Sequence, residues 1–178
     1  MAAYGFGNRT LRLFHSYLRS RKHRVRVGSS LSDYLFVELG VPQGSVLGPI
    51  LFNIFINDLF LVIQESSLCN FADDNTLSSF AKTLPEVILK LRSDLGRVLS
   101  WFSLNGMVAN PDKFQVMFPC ITENVSITIG NHSLQSSKEV KLLGVIIDNK
   151  LSFDSHVKDL CTKALCKSKA LMRIKSSS

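Results

Sequence analysis

Asp73 and Asp74 stand side by side in Phe71-Ala72-Asp73-Asp74, with Leu68-Cys69-Asn70 before them and Asn75-Thr76-Leu77 after. Adjacent carboxylates repel, and holding them together costs folding free energy. The pairing makes chemical sense where a divalent cation is to be held, because hard ions such as Mg²⁺ take oxygen ligands. It is also ordinary turn chemistry, since Asp and Asn favour the bend between two apolar runs. By themselves these residues leave both readings open.

The elements that must position them narrow the choice. Upstream, Gly40-Val41-Pro42-Gln43-Gly44-Ser45-Val46-Leu47-Gly48-Pro49 gathers three glycines and two prolines in ten residues, which excludes a helix interior or a central strand. Glycine lets a backbone come close to a ligand, and proline holds the shape of the loop. Pro49 suits the first turn of a helix, continued by the apolar run from Ile50 to Leu59. That run is apolar nearly all round, so it is expected to be buried. A rigid glycine loop, a buried helix and an acidic hairpin in succession are not a generic arrangement.

Before this block, residues 8–20 carry Leu11, Phe14, Tyr17 and Leu18 at helical spacing. Arg19 to Arg26 holds five cations around His23, and its second half alternates like a strand before Gly28-Ser29-Ser30. A second strand is expected within Tyr34 to Leu39. After the acidic pair, Thr83-Leu84-Pro85-Glu86 matches a capping box. Val87, Leu91, Leu95, Val98, Leu99 and Phe102 then form one helical face ending near Asn105-Gly106. Strands are expected at Phe114 to Phe118 and Val140 to Ile147, and a hairpin at 126–134 turning on Gly130-Asn131. From Ser152 onward, Val157, Leu160, Cys161, Ala164, Leu165, Leu171 and Met172 make an amphipathic helix. Lys158, Lys163, Lys167 and Lys169 lie on its polar side. No repeat or low-complexity segment interrupts the pattern, apart from Ser176-Ser177-Ser178.

The composition sets the bounds. With 178 residues and 46% hydrophobic content, the chain can bury a core as one domain or one domain with a small appendage. Residues 1–40 hold seven Lys/Arg against two acids, residues 41–110 four against six, and residues 111–178 ten against six. An acidic middle between basic ends suits a metal site beside phosphate backbones. Cys69, Cys120, Cys161 and Cys166 form no CxxC pair and have no zinc spacing, so they read as buried or incidental thiols. Asn8, Asn124 and Asn131 each open a glycosylation triplet, which matters only in a secreted protein. The N-terminus lacks signal-peptide character and the most apolar window, Ile50 to Ile63, is too short for a membrane span. An intracellular protein of nucleus or cytoplasm, without membrane association, is expected.

The decapeptide at 40–49 followed by Phe71-Ala72-Asp73-Asp74 resembles the reverse transcriptase domain of non-LTR, LINE-type, jockey-like retrotransposons. Tyr17-Leu18-Arg19-Ser20-Arg21, Ile56-Asn57-Asp58-Leu59, Leu143-Gly144-Val145 and Leu151-Ser152-Phe153 extend the resemblance over essentially the whole chain. It implies an α+β fold: a reverse-transcriptase palm (an antiparallel sheet with helices packed on one face) at 1–147, and the start of a helical thumb at 148–178, with the fingers absent. It implies template-directed nucleotidyl transfer with two Mg²⁺ ions, or Mn²⁺ in their place. The partners would be an RNA template, a DNA primer and deoxynucleoside triphosphates. Asp73 becomes the principal metal ligand, with Asp74 in support. Pro42, Gln43, Gly44, Phe71 and Ala72 fall to nucleotide and template binding, and Leu142, Leu143 and Gly144 to the primer grip. Lys113 is either the acid that protonates the leaving pyrophosphate or a surface lysine. The cations of 19–26 and of the last helix either meet nucleic-acid phosphates or solvate a face.

In that family a further metal-binding Asp lies upstream of the region resembling Tyr4-Gly5-Phe6. The acids here before Asp58 are Asp33 and Glu38, and neither has its context. An N-terminally truncated domain holding half of a metal site, inactive alone, is therefore expected. The alternatives are a non-catalytic nucleic-acid-binding remnant, or a fragment that folds poorly on exposed strand edges.

Overall fold

The structure, a computed structural model, describes residues 1–130 and 132–175. Asn131, with its share of the expected turn and triplet, and the serines 176–178 lie outside the described residues. The chain divides into two compact units, Met1–Ser78 and Ser79–Ser178.

In the first unit a 3-10 turn leads into α1 (Asn8–Leu18), which ends where Arg19 turns extended and Ser20 takes a positive φ of 55°. Phe6 meets Phe14 edge-on, with ring centroids 5.7 Å apart. The cationic stretch then forms β1 (Arg21–His23) and β2 (Arg26–Val27), which return as β3 (Ser30–Leu31) and β4 (Leu35–Val37). β1 pairs with β4 and β2 with β3, both antiparallel, in one long hairpin folded at Gly28. Lys22 faces Phe36, but Arg26 faces Leu31, so the return strand carries one extra residue between the two ladders. This is a bulge. Val25 and Ser32 hold it, Ser32 N donating to Val25 O at 3.0 Å and Val25 N to Ser32 Oγ at 2.9 Å.

α2 (Gly48–Ile56) opens with proline in its first turn, as expected, and runs into a 3-10 segment, Asn57–Val62. Leu51, Ile56 and Leu59 are buried, whereas Ile50 and Phe55 are exposed. Burial of the apolar run is thus one-sided, not all round. Gly48 sits in a tight corner: a Cβ there would lie 2.9 Å from Ser45 Oγ and 3.4 Å from Pro42 O. β5 (Ser67–Phe71) and β6 (Asp74–Ser78) close the unit as an antiparallel hairpin.

The second unit begins with α3 (Leu84–Leu104). Thr83 holds the N-cap position, but its side chain makes no capping hydrogen bond, so the expected capping box does not form. The helix ends as expected: Asn105 Nδ2 donates to Trp101 O at 2.8 Å, and Gly106 takes a φ of 69°. Val98 and Trp101 are buried on its inner side, and α3 packs on β7 (Ser126–Ile129), whose Ile127 is buried too. Asp94 is also buried there, 2.6 Å from Arg97. β7 pairs with β8 (His132–Gln135). Residues 114–118 form no strand. Val116 makes a single bridge to Ser136, and Phe118 is buried instead.

The strand expected at 140–147 is a hairpin, β9 (Glu139–Leu142) and β10 (Val145–Asp148), because Leu143 and Gly144 both adopt positive φ, 48° and 88°. α4 (Asp154–Lys175) follows. Its link to β10 is the half-turn after Asp148, whose carboxylate accepts from Lys150 N, Ser152 N, Ser152 Oγ and Phe153 N at 2.7–3.1 Å. These donors, the Ser152 amide foremost, hold the Asp148 carboxyl below its ordinary value of 3.8. Ser155 Oγ donates to Glu139, and Ile146 N donates to His156 Nδ1 at 3.4 Å, tying the first turn of α4 to both strands. Beyond that turn the stripe of Val157, Leu160, Leu165 and Leu171 is exposed.

The fold is therefore mixed helix and strand, with four α-helices and small antiparallel sheets. The expected shared sheet is not formed among the described residues, where every ladder is two-stranded. Strands of two to five residues close on their neighbours through tight turns, and such local pairing has the least loop entropy to overcome. Of the two expectations for the cysteines, burial does not hold, since all four are exposed thiols.

Two outcomes follow. Gly48→Ala forces the Ser45 hydroxyl from its place and lowers stability by about 1–3 kcal/mol in chemical denaturation, the usual range for overpacking. Asp148→Asn is less stable than the parent at pH 7. A carboxyl whose folded pKa is depressed stabilises above its unfolded value and loses that contribution as pH falls through the folded one. The gap between variant and parent, followed by thermal unfolding, should accordingly close as pH drops below the ordinary 3.8.

Candidate functional site

The β5–β6 hairpin alternates as a half-buried ribbon should. Leu68 and Asn70 on one strand face Leu77 and Asn75 on the other, and these four are partly buried, while Phe71 and Asp74 form the exposed terminal pair. The turn is made by Ala72 and Asp73 alone. Ala72 has a φ of 53° and Asp73 does not share the positive sign, which is the pattern of a type II′ turn. That position normally calls for glycine, and an L-residue there costs about 1–2 kcal/mol.

The turn is held from below by the two asparagines. Asn70 Nδ2 donates to Ala72 O at 2.9 Å and to Asn75 Oδ1 at 2.8 Å, and Asn75 Nδ2 donates to Asp73 O at 3.3 Å. The clamp uses amide groups and backbone carbonyls only. Both carboxylates are left exposed, without a hydrogen bond or ion pair among the described residues. Asn70 and Asn75 were not expected to have a role. Their symmetric placement about the turn, two residues outside Ala72 and Asp73, was the available signal.

The decapeptide loop is shaped by its own serine. Ser45 Oγ donates to Pro42 O at 2.7 Å and accepts from Gly48 N at 3.1 Å, while Gly40 and Gly44 take φ of 78° and 75°. Gln43 is left exposed on the bend. At the loop's entrance Arg21 donates to the carbonyls of Leu18, Leu39 and Gly40. Within the cationic run this residue is therefore a structural tie, a role its sequence context did not reveal.

Other candidates belong to the second unit. Lys113 ends a 3-10 turn, Pro111–Lys113, capped by Asn110 through Asp112 N at 3.0 Å, and its ammonium is exposed. Leu142, Leu143 and Gly144 form the corner of the β9–β10 hairpin, with Leu143 exposed at the tip and Leu142 half-buried. The positive φ at both central positions matches a type I′ turn.

The donor chemistry of Asp73 and Asp74 fits Mg²⁺: exposed, unpartnered carboxylate oxygens on a braced turn. Among the described residues no group of three or more Asp, Glu, His or Cys gathers into a metal site. Asp73 and Asp74 are thus two exposed carboxylates that no third such group joins among the described residues.

The family model for reverse transcriptase (RNA-dependent DNA polymerase) matches residues 1–147. The probable RNA-directed DNA polymerase from transposon BS of Drosophila melanogaster is 31% identical over 156 residues, covering 80% of this chain and 17% of that protein. The RNA-directed DNA polymerase from mobile element jockey of Drosophila funebris is 32% identical over 157 residues, 83% of this chain and 17% of that protein. The probable RNA-directed DNA polymerase from transposon X-element of Drosophila melanogaster is 28% identical over 169 residues, 87% and 18%. This chain thus spans less than a fifth of the length of these relatives. No solved structure matches it. The resemblance to jockey-like elements carried by the decapeptide and the Phe-Ala-Asp-Asp box is borne out, and the chain belongs to the reverse transcriptase (RNA-dependent DNA polymerase) family.

Proposed function

We propose that the chain is part of an RNA-directed DNA polymerase in which the Ala72-Asp73 turn presents the metal-binding carboxylates. The observation that carries this is the clamp: Asn70 and Asn75 fix the turn's backbone and leave both acids unpaired. Family membership supports the reaction class. In that reaction a primer hydroxyl oxygen bonds to the α-phosphorus of a nucleoside triphosphate as the bond to pyrophosphate breaks. Two Mg²⁺ ions, when bound, stabilise the attacking and leaving oxygens.

The chain's residues have separate tasks. Asp73 is the principal ligand, and Asp74, exposed at the first position of β6 beside the turn, supports it. Phe71, exposed at the hairpin's last pair, offers a ring edge beside the acids. Pro42, Gln43 and Gly44 line the bend that meets nucleotide and template, with Ser45 fixing its curvature. Leu142, Leu143 and Gly144 form an apolar corner for the primer end. Lys113 is either an acid for a departing pyrophosphate or a surface lysine. Residues 1–147 serve as palm and 148–178 as the start of a thumb.

This stretch by itself supplies two carboxylates, and a full two-metal site needs a further one. The isolated chain is therefore inactive or nearly so. A second reading is a nucleic-acid-binding remnant without catalysis, held to phosphates by the cations of the two basic ends.

Mn²⁺ titration followed by NMR should broaden the amides of 71–76 in the parent and spare them in the Asp73→Ala, Asp74→Ala double variant. Equal broadening in both would remove the metal assignment. In a longer polymerase containing this stretch, Asp73→Ala should lower primer extension on an RNA template by about a thousandfold, equivalent to about 4 kcal/mol. RNA binding with no extension by that longer protein favours the second reading. Asn70→Ala, which removes both donations from that amide, should cost about 1–2 kcal/mol of stability.

A further inference from the structure

We propose that one face of the β1–β4 hairpin is a binding surface for a single nucleic-acid strand, with bases stacked on Tyr34 and Phe36 and phosphates met by Lys22, Arg24 and Arg26. Lys22 Nζ lies 4.7 Å from the centre of the Phe36 ring, and the Arg24 guanidinium 4.7 Å from that of Tyr34. Lys22 and Phe36 are direct cross-strand partners, and Arg24 meets Tyr34 just beyond that ladder, where the bulge begins. The rings are 66% and 58% exposed, which leaves surface free for a further stacking partner.

The charge is not spent within the molecule. Arg19 and Arg21 are turned to His15 and to backbone carbonyls. Lys22, Arg24 and Arg26 meet no acid among the described residues, and Arg26 Nε alone of the three donates to a backbone carbonyl, that of Gly28 at 3.1 Å. Three uncompensated cations beside two open rings complement a chain of phosphates carrying bases better than an acidic protein, which has no planar groups to stack. Cation–ring contacts also hold the rings in place before binding, which lowers the entropy lost on association.

Two open rings select a single strand over a duplex. A single strand offers unstacked base faces to an aromatic side chain, and a duplex shows none. The surface rests on the nucleic-acid reading of the chain, but it requires no metal and no catalysis.

The test is fluorescence anisotropy in EDTA with labelled twelve-nucleotide oligouridylate, its thymidylate counterpart and a duplex of the same length. The parent should prefer either single strand to the duplex. Tyr34→Ala and Phe36→Ala should each weaken single-strand binding by about tenfold or more, while Phe36→Trp, which keeps a stacking face, retains it. Lys22→Gln with Arg24→Gln should lower the slope of log affinity against log salt by about 1.4. Circular dichroism of each variant verifies the fold. Ring variants that bind like the parent, an equal preference for duplex, or tight binding of polyglutamate would overturn the proposal. Because metal is excluded, loss of binding here is distinguishable from failure of the polymerase reading, which shows as binding without primer extension.

Discussion

The amide pair formed by Asn70 and Asn75 is the interaction on which the acidic turn depends. A type II′ bend closed by alanine is strained, and two neighbouring carboxylates add repulsion to it. In most proteins such acids would be tied down by a lysine or by helix-terminal amides, and the turn would be stabilised through them. Here the load is moved one pair inward, onto side chains that carry no charge. The acids stay available for an external cation because the backbone does not need them.

Similar substitution of local hydrogen bonds for burial recurs along the chain. Ser45 shapes the glycine loop from within, and Asp148 gathers amides to turn the chain from β10 into α4. Each corner is over-determined by polar contacts that span at most five residues, whereas the fully apolar sites are few: Leu51, Ile56 and Leu59 in one unit, Val98, Trp101, Phe118 and Ile127 in the other. Such an arrangement keeps corner geometry accurate while leaving helix faces and strand edges open to contacts with other molecules or segments.

How much of this could be read in advance depended on whether a signal was local. Helix starts at Pro49 and Pro85, the stop at Asn105-Gly106 and the hairpin around Asp73 were legible, since proline, glycine and alternating apolar residues act within a few positions. The Leu143-Gly144 corner was hidden because leucine is not a turn former, and eight residues rich in Val, Leu and Ile look like one strand. Residues 114–118 alternate well enough for a strand but pair among the described residues only at the single bridge from Val116 to Ser136. Periodicity reports a residue's own preference, not the presence of a neighbour. Arg21 shows the same limit, since a run of cations looks uniform in sequence while one of them turns inward to carbonyls.

Arg21 has a mechanical consequence. Its guanidinium grips the end of α1 at Leu18 and the start of the decapeptide at Leu39 and Gly40, at the root of the long hairpin. Both ends of the hairpin are thereby pinned to the close of α1 by one planar group, and the loop begins from a carbonyl already held in place.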